Sequence, residues 1–126
     1  MQWFGLFVLF NVLLLTLLAM NVSRLRLQER VANGDGGLIS LKKAIRAHLN
    51  GVEHVVVYAL VILALSLLRA SPTLQAVLVI GFSLARVLHA YGMLAVAFNA
   101  RRIGAGATYL FELFGLATLA ATLLTG

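Results

Sequence analysis

Four apolar stretches take up most of this chain: Trp3–Val22, Val52–Leu68, Leu74–Phe98 and Ile103–Leu124. Each is near the roughly 20 residues a helix needs to cross a hydrocarbon core about 30 Å thick. Lipid offers backbone N–H and C=O groups no partner, so a spanning segment must satisfy them internally. Long Leu/Ala/Val runs with little strand-like alternation predict helices. Charged residues make up 11% of the 126, against about 25% in a soluble domain. The chain therefore reads as one membrane domain, residues 1–126. The first stretch lacks a basic start and exceeds the usual signal-peptide core, so it is expected to be a retained first span.

The net charge is +6. Its placement points to a membrane and away from nucleic acid. Arg24, Arg26, Arg30, Lys42, Lys43 and Arg46 fall between the first two stretches, and Arg101 and Arg102 between the last two. Only Arg69 lies at the opposite ends, which is the bias of cytoplasmic loops in an inner (plasma) membrane protein. Both termini are then expected on the periplasmic or extracellular side. There is no cysteine, which excludes disulfides, Fe–S ligation and a protein thiol nucleophile. With three histidines and no i,i+4 pair among them, no metal site is expected.

Asn33-Gly-Asp-Gly-Gly37 is the clearest break and asks for positive φ values. Helix two is expected to begin near Leu38 or Ser40. Leu38, Leu41, Ile45, Leu49 and Val52 form one apolar stripe, with Lys42, Lys43, Arg46, Asn50 and Glu53 on the other side. Ser71 can cap helix three and Pro72 suits its first position. A second short connection is expected around Asn99–Gly106, where Gly104 and Gly106 allow close approach. The simplest architecture is an all-α, up-down four-helix bundle in the membrane.

Arg86 stands inside the third stretch, where a charge costs roughly 2.5–3.5 kcal/mol on insertion scales. His89 follows three positions on, on the same face. On helix two, Arg46, Asn50 and Glu53 are spaced i, i+4, i+7 and share a face. Counting from the short outer turn puts Glu53 about 24 Å deep and Arg86 about 20 Å. A Glu53–Arg86 buried pair is therefore expected. Glu112 is a further intramembrane acid that could meet Arg86 or an arginine of a neighbouring subunit. The polar patch, ringed by Arg24, Arg26, Arg46, Arg101 and Arg102, favours a small anion, because arginines grip carboxylates in forked geometry. A cationic surround also favours a thiolate over a thiol.

Arg46-Ala-His48-Leu-Asn50-Gly-Val-Glu53 resembles the R-x-H-x-N-x-x-E signature of the MAPEG family, the membrane-associated proteins of eicosanoid and glutathione metabolism. Arg86-Val-Leu-His89, followed by Arg102, is similar to that family's third-helix pattern and its arginine. Ser23-Arg24-Leu-Arg26 is similar to the basic end of its first helix, and the Asn33–Gly37 turn resembles small bacterial inner-membrane members. The resemblance covers essentially the whole chain. It implies a homotrimer with glutathione, as cosubstrate, bound between neighbours near the cytoplasmic side. Arg24, Arg46, Asn50, Glu53 and His89 would bind glutathione, and Arg102 would stabilise its thiolate. The implied activity is transfer or peroxidase chemistry on lipophilic electrophiles arriving from lipid. Two departures stand out. Leu49 occupies a position that is often basic in eicosanoid-synthesising members, and Met93 one that is often Tyr.

Two other readings remain: a small four-span transporter, and a catalytically silent structural or partner-binding membrane protein. The transporter expects an acid in helix one, where this chain has Asn11, Thr16 and Asn21. The charge bias yields a first prediction. A periplasmic reporter fused at Gly126 should be active and a cytoplasmic one silent; the reverse result would overturn the orientation.

Overall fold

The computed structural model describes all residues, Met1–Gly126, as four helices: α1 Gln2–Glu29, α2 Ile39–Leu67, α3 Pro72–Leu94 and α4 Phe98–Thr125. Each is long and apolar enough to cross a membrane. At 1.5 Å per residue, α1, α2 and α4 run to about 42 Å or more, longer than a hydrocarbon core. Their polar ends therefore project beyond it, which is where the basic residues of α1, α2 and α4 cluster.

The connections follow from local chemistry. α1 ends at Arg30 in the left-handed conformation, and the next loop carries positive φ at Gly34, Gly36 and Gly37. Asp35 fixes that loop by accepting from Gly37 N at 2.9 Å, while Arg26 donates to Gly34 O at 2.5 Å. Between α2 and α3, Ser71 accepts from Leu74 N at 3.5 Å, and Pro72 opens the helix as the sequence predicts.

The last connection differs from expectation. α3 stops at Leu94, and the turn is Ala95–Val96–Ala97, with Val96 at φ 54°. Asn99–Gly106 is helical, the first two turns of α4. Nothing in Asn99–Gly106 opposes a helix except two glycines, of which Gly104 serves packing against α3. The turn itself lies in an apolar run without Gly or Pro, which left it invisible to pattern reading.

α1 packs on α2 and α3, and α4 packs on the same two helices, but α1 and α4 do not touch. The section is thus a rhombus with α2 and α3 on its short diagonal. Its core is aromatic: Tyr58 stacks on Phe82 at 4.1 Å between ring centroids, and Phe7 tilts against both at 5.9 and 5.6 Å. Val55, Val61, Ile62, Leu65, Ala70, Leu78 and Val79 complete this cluster. Toward the basic end α3 and α4 approach backbone to backbone. A Cβ on Gly104 would stand 2.5 Å from His89 N, and one on Gly92 would meet the backbone of Arg101.

That contact predicts a contrast. Gly104→Ala should destabilise the protein in detergent by about 1–3 kcal/mol through overpacking. Gly106, which has nothing within 4 Å of an added Cβ, should gain up to about 1 kcal/mol as Ala from helix propensity. Equal effects in a thermal or denaturant unfolding series would refute the close α3–α4 crossing.

Candidate functional site: a cationic pocket backed by a buried arginine

Arg86 is 2% exposed, and three helices share its guanidinium. Nη2 donates to Asn50 Oδ1 of α2 at 2.6 Å and lies 3.4 Å from His89 Nδ1 one turn along α3. Nη1 donates to Thr108 Oγ1 of α4 at 3.3 Å. Thr108 in turn donates to Gly104 O at 2.7 Å, so the glycine that lets the helices close also anchors the hydroxyl facing the arginine. Arg86 Nε has no partner. The guanidinium is solvated by neutral oxygens, with no carboxylate in contact.

The expected Glu53–Arg86 pair does not form. Glu53 is exposed on the outside of α2 and makes no ion pair. Depth counting fixes position along an axis and says nothing of rotation about it. Asn50, about 60° round the helix from Glu53, faces α3 and takes the arginine instead. Glu112 also has a partner the sequence did not indicate. Its Oε1 lies 2.5 Å from His54 Nδ1, joining α4 to α2. Both side chains are partly buried. The signal was present in the spacing: His54 is i+4 from Asn50, and Glu112 is i+4 from Thr108, so each continues a face already turned inward.

In front of Arg86 a cavity of about 610 Å³ opens at the basic end of the bundle. Its wall is Lys42, Lys43, Arg46 and Asn50 of α2, His89 and Met93 of α3, and Arg101, Arg102 and Ala105 of α4. Four of the sequence-nominated residues, Arg46, Asn50, His89 and Arg102, therefore meet in one place. Lys42, Lys43 and Arg101 join them. The guanidinium carbons of Arg101 and Arg102 lie 5.6 and 5.3 Å from the Phe98 ring centroid, so one aromatic face at the start of α4 steadies both. No acidic side chain lines the cavity. Arg24 is outside it, hydrogen-bonded to Asn21 at 2.9 Å and Gln28 at 3.3 Å on its own helix. The residues present hold no cluster suited to a metal ion. What the arrangement offers is a concentrated positive field, forked donors and one amide, suited to a multiply anionic small molecule.

The profile of the MAPEG family matches residues 4–122. This chain belongs to the MAPEG family. It is 36% identical over 105 residues to "Inner membrane protein YecN" of Escherichia coli K12, an alignment covering 83% of this chain and 80% of that protein. The match to the protein of the same name in a second Escherichia coli strain has the same extent. No solved structure matches the chain. Arg46, Asn50, His89 and Arg102, which meet in the cavity, come from three helices.

The geometry makes a prediction about coupling. In a double-mutant cycle, Asn50→Leu and Arg86→Leu should show an interaction of about 1–3 kcal/mol, since each change strands or removes the other's charge-assisted bond. Glu53→Gln combined with Arg86→Leu should be close to additive. A Glu53–Arg86 coupling as large as that of Asn50–Arg86 would contradict the rotation of α2 described here.

Proposed function

We propose that this protein binds glutathione in the cationic pocket and uses its thiolate on lipophilic electrophiles. The observation that carries the reading is the wall itself: five basic residues, an amide and an imidazole, with no acid among them. Glutathione brings two carboxylates, two amides, an ammonium and a thiol. Lys42, Lys43 and Arg46 suit the carboxylates and Asn50 an amide, while His89 adds a further hydrogen-bonding group. Arg102 at the mouth suits the thiolate, whose charge it balances without titrating. Conjugation then needs only attack of sulfur on an electrophilic carbon and loss of that carbon's leaving group.

The same reading includes a homotrimer. Arg46, Leu49, Glu53, Val56 and Leu60 are all exposed and step by three and four along α2, the spacing of a helix–helix seam. A carboxylate such as Glu53 facing lipid is costly. Against a second copy it leaves lipid and becomes available to the ammonium of a ligand held between copies. Arg24, remote from its own chain's pocket, becomes available to a neighbour's in the same way. The name of the Escherichia coli relative supports an inner-membrane location, and the charge bias supports termini on the far side from the pocket. The apolar outer surfaces of the helices give a lipophilic substrate access from the bilayer.

One observation favours a second reading, binding without turnover. Met93 lines the pocket where a tyrosine would have supplied a hydroxyl. The two separate cleanly. With purified protein in detergent, glutathione should bind and raise the thiolate absorbance near 240 nm. Arg102→Ala should keep binding nearly intact while abolishing that absorbance and slowing conjugation of a generic aryl halide. Arg46→Ala should weaken binding by about 1.5–3 kcal/mol, the worth of a charge-assisted hydrogen bond. Binding without thiolate or turnover would leave only the binding role, and no binding at all would refute the proposal.

A further inference from the structure

A polar stripe climbs α2 from the pocket into the apolar part of the bundle. Arg46 and Asn50 line the cavity, His54 meets Glu112, and Tyr58 donates to Phe111 O at 3.0 Å. The four residues are spaced i, i+4, i+8, i+12, a ladder that turns about 40° per step, from exposed Arg46 to buried Tyr58. The second step of this ladder stands apart from the first. At the first, Arg86 is a buried cation whose contacts, Asn50, Thr108 and His89, bring no negative charge. At the second, one helical turn away on both α2 and α4, His54 and Glu112 form a compact pair. One turn is about 5.4 Å, so the pair sits within the electrostatic reach of Arg86 across a medium that screens poorly.

We propose that the His54–Glu112 pair is a proton-holding element that couples anion binding in the pocket to proton uptake. With one proton shared between imidazole and carboxylate the pair has no net charge. Without it, neutral His54 beside ionised Glu112 carries one negative charge, which offsets Arg86 and weakens the field in front of it. An anion entering the pocket raises the cost of that negative charge and favours the protonated pair. Linkage then requires the converse: protonating the pair tightens the anion. The other groups facing the pair are Asn50 and Tyr58 of α2, Thr108 and Tyr109 of α4, and Arg86 and His89 of α3. Glu53 is adjacent in sequence but turned outward. Of these, Tyr109 sets its ring edge-to-face on His54 at 5.4 Å, which confines the imidazole. His89 is the one other imidazole among them, and it lines the cavity directly.

The inference rests on the anion-site reading above and is tested with a ligand that has no thiol, so that thiolate formation releases no proton of its own. S-methylglutathione is titrated into the detergent-purified protein by calorimetry, in buffers of differing ionisation enthalpy. About a quarter to a half of a proton should be taken up per ligand near neutral pH. Affinity should rise about threefold to tenfold as the pH falls from about 8 to about 6. His54→Gln and Glu112→Gln should each bind with no proton uptake and a flat pH profile. Net uptake of zero in the wild type overturns the proposal. So does uptake that survives in His54→Gln and vanishes in His89→Gln. If the pair's variants do not fold, imidazole ¹⁵N spectra of the wild type decide, because His48, His54 and His89 each give their own resonances. His54 should move to higher pKa on ligand addition, and an unmoved His54 refutes the coupling. If S-methylglutathione does not bind, sulfate is titrated instead. Proton uptake with sulfate would leave the coupling standing and remove glutathione as the ligand. No uptake with either would overturn the coupling too.

Discussion

The constraint on which this structure depends is a guanidinium buried among apolar helices. An isolated charge there is costly, and the offsets come from three different segments: Asn50 on α2, His89 on α3 and Thr108 on α4. Satisfying Arg86 therefore fixes the rotation and the axial register of those helices together. The requirement propagates. Thr108 reaches Arg86 only because α4 lies against α3, and α4 lies against α3 only because Gly104 and Gly92 present no side chain where the facing backbone passes. α1 is outside this arrangement. It is held by the aromatic cluster through Phe7 and by Asn11, which donates to Ser83 at 3.0 Å, and it plays no part in the pocket wall.

The second consequence is electrostatic. Five basic side chains converge on one cavity, and their mutual repulsion has to be tolerated. The fold does so by position. Lys42, Arg46, Arg101 and Arg102 are exposed at the basic end of the bundle, where solvent and counterions screen them. Only Arg86 is deep, and it sits behind the wall. A mouth that is screened and a floor that is not makes a gradient of potential, which draws an anion inward from the surface.

Composition and periodicity carried most of the fold. Four apolar runs, a glycine-rich break at Asn33–Gly37 and a Ser71-Pro72 cap are strong local signals, and each had its structural counterpart. The α3–α4 turn was missed because it uses Ala95, Val96 and Ala97, none of which interrupts a helix pattern. Val96 takes a positive φ that a β-branched residue rarely adopts. For the site, spacing alone grouped Arg46, Asn50 and Glu53, because i, i+4 and i+7 share a broad face. It did not resolve which edge of that face met α3. That is a matter of tens of degrees, decided by packing of Leu41, Ala44, Ala47 and Gly51, all buried. His54 and Glu112 went unmatched because the i+4 spacing from Asn50 and Thr108 turns each inward but does not name its partner on the other helix.

The choice of neutral partners for Arg86 has a functional logic that an ion pair would defeat. Had Glu53 met Arg86, as depth alone suggested, the two charges would have cancelled and left the pocket floor with a dipole. Asn50 and Thr108 satisfy the donors while leaving the charge intact. An amide and a hydroxyl lower the cost of burial through hydrogen bonds to a charged group, worth about 1.5–3 kcal/mol each, and they add no opposing field. A site built to hold an anion needs this kind of support. Its cation must be fixed by groups that do not compete with the ligand for charge. Glu53, carried on the outer face of α2, leaves the field in its own chain's pocket undiminished. The separation of Glu53 from Arg86 thus lets a single small bundle present both signs of charge, on different faces.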